Sequence, residues 1–317
     1  MPLTPFVDAE TRRAVSLRAM TSDAAVSAAW WDELDRASRE RTPGVAGDTH
    51  LLKYAASCPV PSARPPDYAL REVDLGADGR FLAGIHFLKL DVHHPFVGVL
   101  ARDTDLRDAA HARRVARALA GQLALFSPES VWFFQPDGAE EFSLGEYPGG
   151  KLDQHLLAAP ARAMRAASPQ HLERVATRPP EGGWYQRYAT IYHRFLVTHP
   201  HHRFLSMESE ADLTRCLQEG ALLELLVDDR YAGLIAAVPE TRAGAAGYAV
   251  WEILLDDPWR GKHLAAACHR RLADQLPGDA LIWGTIDARN TPSRRAAQTA
   301  GRQIVGRWWF LPTPPGR

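Results

Sequence analysis

Cysteine is scarce in this chain of 317 residues: Cys58, Cys216 and Cys268 are far apart and odd in number. They offer no Cys-x-x-Cys metal clip and fit the reduced thiols of a cytoplasmic protein. An excess of one charge is lacking too. The formal net charge is -1, whereas a protein that binds nucleic acid or an anionic membrane normally carries a basic surplus, so neither partner is expected. No uninterrupted apolar stretch approaches the ~18 residues of a membrane span, and the opening MPLTPFVDAETRR has no basic start followed by an apolar run. With 46% hydrophobic and 24% charged residues, the chain reads as globular and as long for one domain, which makes two domains the expectation.

Residues 8–41 carry apolar positions at helical spacing, and the proline-rich CPVPSARPPDY that follows cannot continue a helix. LREVDL, FLAGIHFLKLDV and PFVGVLA read as strands, residues 106–125 as a helix and SVWFFQ as another strand. Residues 137–182 are mixed, with a short helix near 158–167, and the domain boundary is placed here, giving 1–160 and 161–317. Beyond it WYQRYATIYHRFLVTH and EADLTRCLQEG are helices, and ALLELLV, YAGLIAAV and YAVWEILL are successive strands. A helix, the strand ALIWGTID, a short helix in NTPSRRAAQTAG and the strand IVGRWWFL complete an α/β order with a mixed sheet.

The helix after YAVWEILL is unusual at its start. Leu264, Cys268, Leu272 and Leu276 form an apolar stripe for packing on a sheet, with His269, Arg270, Arg271, Asp274 and Gln275 facing away, and Pro277-Gly278 ends it. Its first turn follows Arg260-Gly-Lys-His with no Ser, Thr, Asp or Asn placed to cap it. Open amide groups and the helix dipole suit an anion, Arg260 and Lys262 add charge, and Gly261 admits close approach to the backbone. The plainer reading is an ordinary strand-to-helix turn with two solvated cations.

Arg260-Gly-Lys-His-Leu-Ala265 after a strand, followed about thirty residues later by Asn290-Thr-Pro-Ser293 leading into Ala300-Gly301, resembles the Gcn5-related N-acetyltransferase (GNAT) superfamily over residues 221–311. The resemblance implies a GNAT-like acyltransferase fold, mixed α/β, with acetyl-CoA or another acyl-CoA as co-substrate. Its pyrophosphate would lie on Gly261, Lys262, His263, Leu264 and Ala265, next to Arg260. Its pantetheine and thioester would meet the backbone of Ile253, Leu254 and Leu255, in the gap where that strand splays from its neighbour, and Asn290 and Ser293 would line the distal side. Two departures stand out: His263 occupies a position where the family usually has Gly, and the family's frequent tyrosine general acid would fall at Ala297.

Amine attack on a thioester needs a neutral amine, an oxyanion donor and a route for protons. A backbone N–H near residues 253–255 would serve the oxyanion. Glu252, in the apolar AVWEILL, is the first choice as base because burial raises a carboxylate pKa toward the useful range. Glu224 in ALLELLV is the alternative, and an arginine-paired structural carboxylate is the plainer reading of Glu252. Tyr248, Trp251 and Trp283 are either acceptor-pocket walls or core aromatics. RGKH lacks the earlier Gly and following Ser or Thr of a nucleotide-triphosphate loop. HPHHR and the pair His93-His94 have no carboxylate or Cys at ligand spacing, so a surface cluster and no metal are expected. Acidic residues dominate 204–257 and basic ones 260–317, consistent with a cationic acceptor beside a polyanionic co-substrate.

The sequence therefore predicts an N-acetyltransferase acting on a small-molecule or protein amine in the cytoplasm, with oligomeric state open. The other readings are an acyl-CoA-binding sensor without catalysis and a tRNA-dependent aminoacyltransferase of tandem GNAT-like fold. The N-terminal half reads as a degenerate second copy or an accessory α/β domain. PFVGVLARDTDLRDAAHARRVARALAGQL aligns without a gap on YAVWEILLDDPWRGKHLAAACHRRLADQL, placing Asp103 on Asp256, Arg107 on Arg260 and Asp108 on Gly261, with Trp132 and Trp283 in the strands that follow. A carboxylate at 108 would cap its own helix and repel pyrophosphate.

Overall fold

The structure is a computed structural model that describes residues 54–102, 104–137, 141–202, 204–242, 245–278 and 280–313. The helix predicted over 8–41, and Asp103, lie outside these residues. Two compact units are formed, 54–155 with 305–313, and 156–304. The boundary expected at 160 thus falls five residues late, and the last strand of the chain belongs with the first unit. Local sequence marks a strand but not the sheet it joins, because pairing is chosen by distant residues.

In the N-terminal unit, β1 (Arg71–Asp74), β2 (Arg80–Phe87) and β3 (Pro95–Arg102) pair antiparallel. Helix α1 (Ala109–Gln122) then carries the chain to β4 (Ser130–Pro136), which lies parallel to β3, since parallel neighbours require a crossover. The end of the chain adds β11 (Gln303–Pro312) antiparallel to β4. Alternate residues Phe81, Ala83 and Ile85 of β2 and Val97 and Val99 of β3 meet Ala112, Val115, Ala116 and Leu119 of α1 in the core.

The C-terminal unit has the strand order β5-β10-β9-β8-β7-β6. Its strands are β5 (Lys151–Pro160, from Leu156 onward), β6 (Val175–Arg178), β7 (Ala221–Val227), β8 (Arg230–Arg242), β9 (Ala245–Leu255) and β10 (Leu281–Asp287). Its helices are α2 (Ala161–Ala166), α3 (Trp184–Thr198), α4 (Glu210–Glu219), α5 (Ala265–Gln275) and α6 (Thr291–Thr299). β6 to β9 form an antiparallel run, and β10 is parallel to β9 across α5. The fold is mixed α/β, and the stretch 137–182 that read as mixed holds strands β5 and β6, whose short or alanine-rich sequences give little period-2 signal.

The stripe Leu264, Cys268, Leu272 and Leu276 is buried against the sheet. His269 is a correction: expected on the outer face, it is 2% exposed, and burial, with the Arg302 charge second, pulls its imidazole down to about 3. It is a neutral core residue. No described helix is long and apolar enough to cross a membrane.

Candidate functional site

Strand β9 is out of step with itself. Against β8, Glu252 to Leu255 pair in one register and Val250 in the next, so Trp251 is an extra, bulged residue. Before the bulge Tyr248 and Val250 pack on the α5-side core; after it Ile253 and Leu255 do. Without the bulge Glu252 would share the face of Tyr248 and Val250. With it Glu252 turns to the opposite face, where α3 lies.

There Tyr188 Oη donates to Glu252 Oε2 (2.7 Å), and the Ile253 amide donates to Oε1 (2.8 Å). The Glu208 amide donates to Tyr188 Oη (3.0 Å), and Tyr185 Oη donates to the Glu208 carbonyl (3.2 Å). Burial dominates the Glu252 carboxyl and lifts it to about 7, with the two hydrogen bonds and Arg260 pulling down and Glu208 pushing up. Glu208 is itself raised, by burial and then by Asp212. Tyr188 and Tyr192 are held well above the phenol range by burial and by Glu252, so both stay protonated. The sequence reading missed Tyr188, Tyr192 and Glu208. The signal for the two tyrosines was present in WYQRYATIYHRF, where Tyr185, Tyr188, Tyr192 and Phe195 recur on one helical face with hydroxyls as polar tips.

Glu224 has a different environment. It is 1% exposed and gripped by Arg178 (2.9 Å) and by Arg187. Both of its oxygens are engaged by guanidiniums, an environment that Glu252 does not share. The Arg260 guanidinium lies 3.8 Å from the Phe195 ring centroid and 3.4 Å from Asp257, and its charge acts on Glu252.

The backbone of β9 beyond the bulge faces two ways. The Asp256 amide bonds the Ala232 carbonyl (2.8 Å), so the pairs at Asp256 and Leu254 are the hydrogen-bonded ones toward β8. Ile253 and Leu255 therefore turn their amides and carbonyls away from β8, toward the β10 side. Registered pairing with β10 covers Ile282 and Trp283 opposite Tyr248 and Ala249, at the start of both strands, and Gly284 still lies against Val250: a Cβ there would meet the Val250 carbonyl at 3.1 Å. The registered pairing goes no further along the two strands.

β9 then runs into the Arg260–His263 loop. Gly261 (φ +70°) and His263 (φ +59°) both have the positive φ that favours glycine. Residues 261–263 are exposed, a Cβ at Gly261 would touch nothing within 4 Å, and Lys262 Nζ lies 5.3 Å from the Trp259 ring. No side chain caps α5, whose N-cap is Leu264, while Ala265 opens the first turn. Asn290 caps α6 by accepting from the Ser293 amide (3.3 Å), and Ala297 is fully buried. Among the described residues no group of three His, Cys, Asp or Glu could hold a metal.

The N-terminal unit repeats the strand geometry and closes the loop. Parallel pairing of β3 with β4 ends at Gly98 opposite Trp132, as that of β9 with β10 ends at Ala249 opposite Trp283. Leu100 is bulged two residues after Gly98, as Trp251 is two after Ala249. Asp108 caps α1, its Oδ1 accepting from the His111 amide at 2.7 Å. By cap position its counterpart is Leu264, not Gly261, and by bulge position that of Leu100 is Trp251, not Ile253, so the gapless alignment is two residues out in the strand and three in the helix. Eight positions separate Leu100 from Asp108 and thirteen separate Trp251 from Leu264. Glu141 fills that loop as well, on Arg102 (2.6 Å) and the Leu106 amide (3.2 Å).

No family model matches the chain, and comparison with curated proteins gives no match. Among solved structures, the chain is similar to a GCN5-related N-acetyltransferase from Sphaerobacter thermophilus (16% identity, 87% of this chain and 96% of the other, TM-score 0.42). It is also similar to a GNAT-family acetyltransferase from Colwellia psychrerythraea (10% identity, 86% and 99%, TM-score 0.46) and to a tandem GNAT protein from the clavulanic acid biosynthesis pathway (13% identity, 87% and 99%, TM-score 0.46). At these identities and scores the likenesses concern the arrangement of strands and helices and carry nothing about the reaction.

Two stability effects follow from the caps and the loop. His263→Gly is expected to raise stability by ~0.5–1 kcal/mol, because a left-handed non-glycine residue is relieved; a lower melting temperature would contradict the strained loop. Asp108→Ala is expected to destabilise the N-terminal unit through loss of the N-cap, measured as a lower urea midpoint.

Proposed function

We propose that the C-terminal unit is an acyl-CoA-dependent N-acyltransferase that passes an acyl group, most simply acetyl, to the amine of a small molecule or protein. One observation carries the reading: β9 presents a carboxylate held near neutrality and leads straight into an uncapped, cation-flanked helix start open to an anion. Gly261 to Ala265, with Lys262, would hold the pyrophosphate through backbone amides, and the absence of any neighbour around a Gly261 Cβ fits close approach of such a group. Ile253 and Leu255 would offer outward backbone groups to the pantetheine, with Asn290 and Ser293 at the far side. Acyl-CoA supplies the activated acyl thioester. Glu252 takes the proton from the incoming ammonium, a task for which a value near working pH is suited. Because the Ile253 amide is engaged by Glu252, the Leu255 amide is the better candidate for the oxyanion. We read the N-terminal unit as a degenerate copy whose own carboxylates, Asp108 and Glu141, take the place of a bound anion.

The test is incubation with acetyl-CoA and a panel of amines while thiol release is followed. Binding without turnover would favour a sensor, and indifference to CoA would end both readings. Glu252→Gln is expected to keep CoA affinity and to lose ~10²–10⁴ in turnover. In the wild type, kcat/KM is expected to rise with pH through about 7, since the base acts as its carboxylate. Gly261→Asp is expected to abolish CoA binding in calorimetry without unfolding, because Asp tolerates a left-handed backbone and the Cβ has room; a variant that binds normally would overturn the phosphate assignment.

A further inference from the structure

Tyr188 on α3 is fully buried, and its hydroxyl stands between two polar groups with opposite demands. The Glu208 amide donates to Tyr188 Oη, and Oη donates to Glu252 Oε2. An amide N–H can only donate, so the phenol proton has one direction left, toward the carboxylate. A tyrosine locked as a donor stabilises the ionised carboxyl over the neutral one and holds it in one rotamer.

We propose that Tyr188 is the positioning residue for the base, an inference that rests on the acyltransferase reading: it keeps Glu252 Oε2 an acceptor throughout, so that the proton from the substrate ammonium is received on Oε1. In that step an N–H bond of the ammonium breaks and an O–H bond forms on Oε1. The ammonium becomes a neutral amine, the carboxylate becomes a neutral acid, and no electrons are exchanged with another group. Oε1 can carry the proton and still accept from the Ile253 amide. The charged and titratable groups facing Glu252 are Tyr188 and Tyr192 from α3, Glu208 from the segment before α4 and Arg260 from the loop before α5. Of these, Tyr188 is the one hydrogen-bonded to it among the described residues.

The experiment follows Glu252 itself, by carbon NMR of protein labelled at the glutamate carboxyls, with the resonance assigned by its loss in Glu252→Gln. Tyr188→Phe, which keeps the ring, is expected to raise the Glu252 titration by about one pH unit, the size of a lost charge-assisted hydrogen bond. The acidic limb of kcat/KM should move with it, a roughly tenfold loss at any pH below both midpoints. Tyr192→Phe removes a neighbouring hydroxyl that is not bonded to Glu252 and should move the titration far less. If Tyr188→Phe does not fold, fluorotyrosine at 188, a stronger donor of nearly the same shape, should move the titration down. A Glu252 titration that ignores both changes, or that responds equally to Tyr192→Phe, overturns the assignment to Tyr188. A titration that moves as expected in a protein that acylates no amine places the failure in the acyltransferase reading instead.

Discussion

The candidate site depends on one extra residue in one strand. Side chains alternate along a β-strand with a period of two, so a single inserted residue exchanges the faces of everything beyond it. In β9 the insertion is Trp251, and the residue whose face it changes first is Glu252. On the α5 side this carboxylate would be pressed into an aliphatic core with no donor for it; on the α3 side it meets Tyr188. The same shift fixes the backbone. Ile253 and Leu255 become the non-hydrogen-bonded positions toward β8, and their polar groups turn to the β10 side. Side chain and main chain are thus oriented by one local irregularity.

The two units differ most at the start of the helix that follows the bulged strand. Both have a bulge two residues past the end of the parallel pairing and both have a tryptophan at its last position. The difference lies in the connection to the helix. The shorter one ends in Asp108, whose carboxylate satisfies the first turn, and Glu141 binds the Leu106 amide within it. The longer one has room for a 3-10 turn at Asp257–Trp259 and for two left-handed residues, and it supplies no carboxylate to its helix start. A helix terminus must be satisfied by something, and a chain that places its own anion there has no need of a second.

Much of this was legible in the sequence where the signal is local. The spacing of Leu264, Cys268, Leu272 and Leu276 gave α5 and its buried stripe, and the absence of a capping side chain after Arg260 gave the open start. Glu252 stood out because a charged residue in an apolar strand must be accommodated somehow. What stayed hidden is set by tertiary contact. His269 reads as polar and outward until α5 is covered on that flank too, β5 and β6 carry no clear alternation, and a bulge has no composition of its own. The gapless alignment of the two halves failed for a related reason: strand and helix resemble each other in both, while the length of the loop between them is the part that differs.

The contrast between Glu224 and Glu252 shows what decides the character of a carboxylate on a strand. Both lie in apolar strands of one sheet, Glu224 buried and Glu252 half-buried. Across from Glu224, β6 places Arg178 at the paired position and α3 adds Arg187, so desolvation is offset by two full charges. Glu252 receives dipoles instead, a phenol and an amide, while the one guanidinium in reach, Arg260, lies over Phe195 and against Asp257. Dipoles offset less of the desolvation than a paired cation does, and the difference leaves Glu252 near 7. Had Arg260 turned from Phe195 to Glu252, the site would hold a second ion pair and no group able to exchange a proton near neutral pH. The stacking of Arg260 on an aromatic ring is therefore as much a part of the site as the carboxylate it leaves unpaired.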